Sequence, residues 1–357
     1  MASSKGGDHG LDRASAPDDR RSKAPTRRPG RSISGGAAVC RGRVSHLDRR
    51  RYRLTHRRIE ALAARNLPVA DSRWSVGRLN LGERGTATHI TGRHMKIIEI
   101  DMGFGARVED VDMNALTQGE VDRLRTALLD RGMLVIPGQA LSPVEKVRMS
   151  EVFGALETFP PAAGQLTDFP QIFRVASRSA EGHTTVGRYW HSDGSFRPEG
   201  TPISIWYLVV QPEECGETLF TDLREAYRAF PDDAKASIEH LITVHRNGVM
   251  HPLVIRHPAT HHPSLYFNVG LTGRVIGLAN EDFAALRVAL DDHLSRAGAT
   301  YVHHWRAGDV VIADNFRGAH RATPIAATQH RVLDRTTIRA DGVYWNDASA
   351  RALAQTQ

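Results

Sequence analysis

Cysteine is nearly absent from this chain. Its 357 residues include two, Cys40 and Cys215, and only Cys215 lies in the part that reads as folded. No bridge can form within that part, which fits a reducing compartment and a cytoplasmic location. Long apolar runs are also missing. No stretch approaches the roughly 18 consecutive apolar residues that cross a bilayer, and residues 1–30 lack the apolar core of a secretory signal. A membrane partner is therefore not expected. No internal repeat is visible, which excludes a solenoid or propeller.

What is present is 41% hydrophobic content, enough for one large domain or two smaller ones. The net charge of +7 suggests a nucleic-acid or membrane binder, but the charge is unevenly placed. Residues 1–94 hold 21 of the 47 Lys and Arg and 8 of the 40 Asp and Glu, a net of +13. The other 263 residues hold 26 basic and 32 acidic groups, a net of −6. The basic character belongs to an N-terminal extension and says nothing about partners of the body.

Residues 1–94 are rich in Arg, Ser, Gly and Ala. Three readings fit: a disordered extension, sequence upstream of a true start at Met95, or a targeting or nucleic-acid-binding arm. Residues 95–345 read as one domain and 346–357 as a flexible tail. A first strand is expected over 96–102. Thr117 and Glu120 form a capping box before helically spaced Val121, Leu124 and Leu128. Gly132 ends that helix, and 133–136 is a short buried strand. Ser142, Pro143 and Glu145 open a second helix, closed by Gly154. Strands follow at 203–210, 217–221, 253–256, 265–268, 301–305, 310–313 and 332–338, separated by Gly, Pro, Asp and Asn signals. Phe283, Leu286, Leu290 and Leu294 mark a helix capped by Asn280. Helices gathered around many short strands predict a mainly β sandwich or barrel with helical insertions.

The chemistry concentrates at Tyr189-Trp190-His191-Ser192-Asp193-Gly194-Ser195-Phe196. On an extended strand, residues two apart share a face, so His191 and Asp193 can converge on one metal ion. A further distant histidine would complete the facial triad of a non-haem Fe(II) oxygenase. Spacing alone does not select it. His320 follows the buried stretch 309–315. His251 precedes Pro252 and fits a structural turn equally well. His303 and His304 are adjacent and point to opposite faces. Further on, Arg331 and Arg335 are four apart and share a strand face. Two inward arginines are costly unless anions meet them; the alternative is a solvated, salt-bridged face.

These segments resemble the taurine dioxygenase and 2,4-dichlorophenoxyacetate dioxygenase family of Fe(II)/2-oxoglutarate-dependent oxygenases. The resemblance is carried by Leu134-Val135-Ile136-Pro137-Gly138-Gln139 with Phe153-Gly154, and by the His191 segment. It continues through Gly216-Glu217-Thr218-Leu219-Phe220-Thr221-Asp222, then His251-Pro252 with His257-Pro258. It ends in Trp305-Arg306, Gly308-Asp309, Asp314-Asn315, His320 and residues 331–338. The segments fall in family order from about Met95 to Gly342 and include none of residues 1–94.

The resemblance implies a double-stranded β-helix (jelly-roll, cupin-like) core. It implies that His191, Asp193 and His320 ligate Fe(II), and that Arg331 with Thr218 binds the co-substrate 2-oxoglutarate. Arg335 matches a position that in some members grips an anionic group of the primary substrate. O2 would then drive decarboxylation of the keto acid to succinate and CO2, coupled to oxidation of a substrate C–H bond. Asp193 favours hydroxylation, desaturation or cyclisation over halogenation, because related halogenases carry a small residue there. Tyr189, Trp190, Phe196 and Phe316 flank the ligand positions; Tyr189 and Phe316 are the candidate substrate contacts, although aromatic residues in a β-core also serve packing. The expected partner is a small molecule, a carboxylate or other anion, or an amino-acid-derived substrate of a specialised pathway. A homo-oligomer is expected, and a nucleic-acid partner is not. Two other classes remain: a metal-free β-core binding protein, and a nucleic-acid binder acting through the basic extension.

Overall fold

The computed structural model describes residues 94–340 apart from 101–103, 163, 185, 297–299 and 327. The expectations for the basic extension and the C-terminal tail lie outside the described residues. The chain runs β1 (Lys96–Glu99), β2 (Ala106–Glu109), α1 (Gln118–Arg131), β3 (Met133–Ile136), α2 (Pro143–Glu151), β4 (Phe173–Ala176) and β5 (Ile203–Val210). It continues through β6 (Thr218–Asp222), α3 (Leu223–Arg228), α4 (Asp232–Ile238), β7 (Ile242–His245), β8 (Met250–Pro252), β9 (Val254–Arg256) and β10 (Pro263–Leu265). The last elements are β11 (Thr272–Val275), α5 (Asn280–Leu294), β12 (Tyr301–His303), β13 (Val310–Asp314), β14 (Gly318–Ala322) and β15 (Val332–Thr337).

Local chemistry sets the first helices. The Thr117 side chain accepts from the Glu120 amide and the Glu120 carboxylate accepts from the Thr117 amide, the reciprocal box that opens α1. Gly132 closes it in the left-handed region, φ 75°, donating to the Leu128 carbonyl. Ser142 and Glu145 repeat the box at α2. That helix stops at Glu151 with Val152 as its cap, short of Gly154. Asn280 does not cap α5. Ala279 holds the cap position without a side-chain hydrogen bond, and Glu281 and Asp282 place negative charge in the first turn.

Seven strands form the main sheet in the order β1-β2-β3-β13-β5-β15-β4, antiparallel except for the β2–β3 pair. Its two faces alternate as strand geometry requires. Ile203, Ile205, Val310 and Ile312 face outward onto Leu124, Leu128 and Met149 of α1 and α2. Trp206, Leu208, Val311, Ala313 and Leu333 face inward, against Phe220 of β6 and Trp305. Strands covered on both faces read as unbroken apolar runs, which is why 203–210 and 310–313 were legible. The second layer contains β12-β6-β14, with β11-β7-β8 and the β9–β10 pair beside it. A separate core joins Leu223 and Tyr227 of α3, Ile238 of α4 and Leu286 and Leu290 of α5 to Trp190, Leu253 and Leu265. The architecture is the expected mainly β jelly-roll with flanking helices.

Several short elements were not expected: β2, β4, β7, β8, β11, β14, α3 and α4. β14 is the instructive case. Gly318-Ala319-His320-Arg321-Ala322 has almost no strand propensity and is a strand because its full length pairs with β6. The strand expected over 265–268 overlaps β10 only at Leu265, and β12 is shorter than expected, ending at His303. No helix among the described residues is long and apolar enough to cross a membrane.

Candidate metal centre and co-substrate site

His191 and Asp193 do not lie on an extended strand, contrary to the expectation. His191 makes a single antiparallel bridge with His320. The His191 amide donates to the His320 carbonyl at 3.1 Å, and the His320 amide to the His191 carbonyl at 2.8 Å. Asp193 already belongs to the following turn. The bridge, more than the two-residue spacing, brings the imidazoles together, with ring centroids 4.2 Å apart. Gly194 makes the turn possible: it has φ +72°, and a Cβ there would stand 1.7 Å from Thr201 Oγ1. The glycine answers a tight packing contact with Thr201.

Each side chain is held from behind. His191 Nδ1 donates to the Tyr189 carbonyl at 2.8 Å, which leaves the Nε2 lone pair free for a metal. The Trp206 ring meets His320 edge-on at 4.8 Å. Ser204 Oγ donates to Asp193 Oδ2 at 2.8 Å, Asn315 Nδ2 donates to Ser204 Oγ at 3.0 Å, and the Asp193 amide donates to Asn315 Oδ1 at 3.2 Å. Arg335 Nη1 donates to Asp193 Oδ1 at 2.5 Å. The three ligand atoms lie within 4.8 Å of one another.

The electrostatics match a metal centre. Burial pushes the Asp193 carboxyl up, but Arg335, His320, His191 and Ser204 outweigh it and hold the group at about 2. Burial drives His320 down to about 3, with His191 adding to the effect, and burial also lowers His191. At neutral pH the set is one carboxylate and two neutral imidazoles, each with a lone pair to give.

The second half of the site lies on β6 and at the start of β15. Thr218, Phe220 and His320 share a face, because β6 and β14 pair with Phe220 opposite His320. Thr218 Oγ1 accepts from Trp305 Nε1 at 2.9 Å, leaving its own proton to donate. Arg331 is buried, and its Nε and Nη2 have no hydrogen-bond partner. Burial lowers its pKa to about 10, opposed by the Glu217 carboxylate. A buried guanidinium with two unmet donors is expensive in isolation and suited to a carboxylate guest. This donor set fits a dicarboxylic co-substrate.

Arg335 shares the inner face of β15 with Leu333. Outward-facing Asp334 is held by Lys146 Nζ and Arg174 Nε, both at 2.7 Å. The solvated-face alternative for the arginines therefore does not hold. Tyr189 is half-buried, with its ring 5.3 Å from His191. Phe316 is enclosed with Ile255 and Tyr266, Trp190 belongs to the core around α3 to α5, and Phe196 is exposed. Of the other histidines, His251 bonds the Ser195 carbonyl at 2.8 Å and His303 faces Asp309 at 3.2 Å. Sequence reasoning missed Ser204 as an anchor. Its signal was a lone serine inside an otherwise apolar and aromatic buried strand.

Comparison with known proteins agrees with this geometry. The family model described as "Taurine catabolism dioxygenase TauD, TfdA family" matches residues 96–337. The alpha-ketoglutarate-dependent 2,4-dichlorophenoxyacetate dioxygenase of Cupriavidus pinatubonensis is 30% identical over 278 residues, covering 67% of this chain and 96% of that protein. The crystal structure of a taurine dioxygenase from Burkholderia xenovorans superposes with a TM-score of 0.63 at 26% identity, covering 73% of this chain and 99% of the other. The AAD-2 structure in complex with Mn(II) and N-oxalylglycine superposes with a TM-score of 0.59 at 25% identity, covering 69% of this chain and 97% of the other. The fold and site define a 2-oxoglutarate-dependent dioxygenase that uses Fe(II). The chain belongs to the TauD/TfdA family.

Proposed function

We propose that His191, Asp193 and His320 hold the Fe(II), that Arg331 and Thr218 hold the distal carboxylate of 2-oxoglutarate, and that Arg335 serves an anionic group of a small organic substrate. The observation that carries this reading is Arg331: a buried cation with two unpartnered donors, four residues before Arg335, which contacts the triad carboxylate.

When bound, the iron and keto acid supply the oxidising chemistry: O2, 2-oxoglutarate and a substrate C–H give succinate, CO2 and the oxidised substrate. The chain's own residues bind and orient. Arg331 fixes the far carboxylate as a planar fork, which sets the direction of the keto end. Thr218 donates a second hydrogen bond to the same carboxylate. Ser204 and Asn315 hold the Asp193 carboxylate in one rotamer, and the Tyr189 carbonyl fixes the His191 tautomer. Trp206 and Phe220 wall the His320 side and keep water away. The carboxylate at Asp193 supports oxygenation, desaturation or cyclisation over halogenation.

The relative acting on 2,4-dichlorophenoxyacetate takes a carboxylic acid, which supports an anionic substrate here. The test is succinate release under Fe(II), O2 and ascorbate, triggered by a panel of carboxylates, sulfonates, sulfate esters and amino-acid derivatives. Anion-dependent succinate release is expected. Release that responds only to neutral or cationic compounds would overturn the assignment of Arg335.

A further inference from the structure

The two arginines, Arg331 just before β15 and Arg335 within it, are in different states. Arg331 has no carboxylate bonded to it. Arg335 already has one, and that carboxylate is Asp193, at 2.5 Å. The contact is secluded: the Arg335 side chain is 16% exposed and that of Asp193 7%. The guanidinium lies over the Phe173 ring at 4.7 Å and the Phe159 ring at 5.9 Å, so aromatic faces restrict where it can go. Its Nε is buried without a partner. The other nearby carboxylate, Glu157, is engaged by Arg197 at 2.7 Å and by Thr201 Oγ1 at 3.1 Å.

A metal at the triad and Arg335 therefore compete for the charge of one carboxylate. With Asp193 alone, Arg335 makes a neutral pair. With a dication added, the same guanidinium becomes a repelling neighbour. An anion that docks on the unpaired Nε edge cancels this repulsion without leaving Asp193. We infer that Arg335 is the counter-cation of the metal carboxylate and couples the two occupants of the site. It weakens metal binding when alone, and metal and anionic substrate each strengthen the other's binding. Thermodynamic linkage makes the coupling equal in both directions. The inference rests on the ligand set proposed above and adds to it that Arg335 also tunes the metal.

The test is Mn(II) affinity, read from the electron paramagnetic resonance signal of the free ion, without 2-oxoglutarate. Three proteins are compared: wild type, Arg335→Gln, which keeps a donor but loses the charge, and Arg335→Lys, which keeps the charge. Arg335→Gln should bind Mn(II) about five- to tenfold more tightly than wild type, the scale of repulsion between a unit charge and a nearby dication under near-aqueous screening. Arg335→Lys should stay within about twofold of wild type on the same argument. Acetate, methanesulfonate or methyl sulfate at matched ionic strength should tighten Mn(II) binding to wild type, and none should do so in Arg335→Gln. Arg335→Met replaces the glutamine variant if that protein fails to fold. Equal or weaker Mn(II) binding by the uncharged variant, or no tightening of wild type by any of the three anions, overturns the coupling while leaving the triad intact. Failure of wild type itself to bind Mn(II) would remove the ligand assignment, and this inference with it.

Discussion

Replacing Arg331 with methionine should impair turnover and stabilise the protein when no ligand is present, a combination that separates a binding residue from a structural one. The side chain is buried, and two of its three nitrogens have no partner. Leaving buried charged donors unmet costs about 1–3 kcal/mol. Burial lowers its pKa to about 10, a penalty of the same sign at about 1.4 kcal/mol per tenfold. Methionine keeps the stem and removes the unmet donors, so the ligand-free variant should unfold a few degrees above wild type. The bound state responds oppositely. Two charge-assisted hydrogen bonds to a carboxylate contribute about 1.5–3 kcal/mol each. Their loss should raise the KM for 2-oxoglutarate by about a hundred- to ten-thousandfold. In thermal unfolding with Mn(II), 2-oxoglutarate should raise the Tm of wild type and not that of the variant. A variant that is less stable than wild type without ligand, with a KM within about twofold of wild type, would show that Arg331 is structural and the reasoning wrong.

His191→Ala and His320→Ala should each abolish iron-dependent succinate formation with an unchanged circular dichroism spectrum; wild-type-like turnover in either variant would remove that residue from the site. Arg331→Ala should raise the KM for 2-oxoglutarate far more than Arg335→Ala does, and the reverse order in steady-state kinetics would mean that their roles are exchanged. Gly194→Ala places a Cβ 1.7 Å from Thr201 Oγ1 at a positive φ and should lower stability by about 2 kcal/mol or more and reduce metal content, measured by denaturant unfolding and elemental analysis. Ser204→Ala removes the donor to Asp193 Oδ2 and should weaken Mn(II) binding about tenfold; unchanged affinity would show that Arg335 suffices to hold the carboxylate.

Much of the fold was legible because its signals are local. The capping boxes at Thr117 and Ser142 and the left-handed Gly132 depend on residues within four positions of one another, so they survive the loss of tertiary context. The apolar runs of β5 and β13 announced strands buried on both faces. β14 and the short edge strands gave no such signal, because their conformation comes from hydrogen bonds to distant strands. The expectation for His191 and Asp193 identified residues that converge but attributed the convergence to strand alternation, whereas a bridge to His320 and a turn at Gly194 produce it.

The order of residues alone set out the available groups: a carboxylate two positions after a histidine, a pool of further histidines, and two arginines four apart. Their order and spacing were specific enough to indicate the family. Which of these groups meet depends on the folded chain. It chose His320 from the histidines by pairing β14 with β6 and bridging it to His191. It placed Phe316 in a packed cluster with Ile255 and Tyr266, and it gave Arg335 the metal carboxylate while leaving Arg331 with unmet donors. Contacts between residues more than a hundred positions apart leave no local periodicity to read, and burial sets the cost of an unpaired charge only once the two sheets have closed around it.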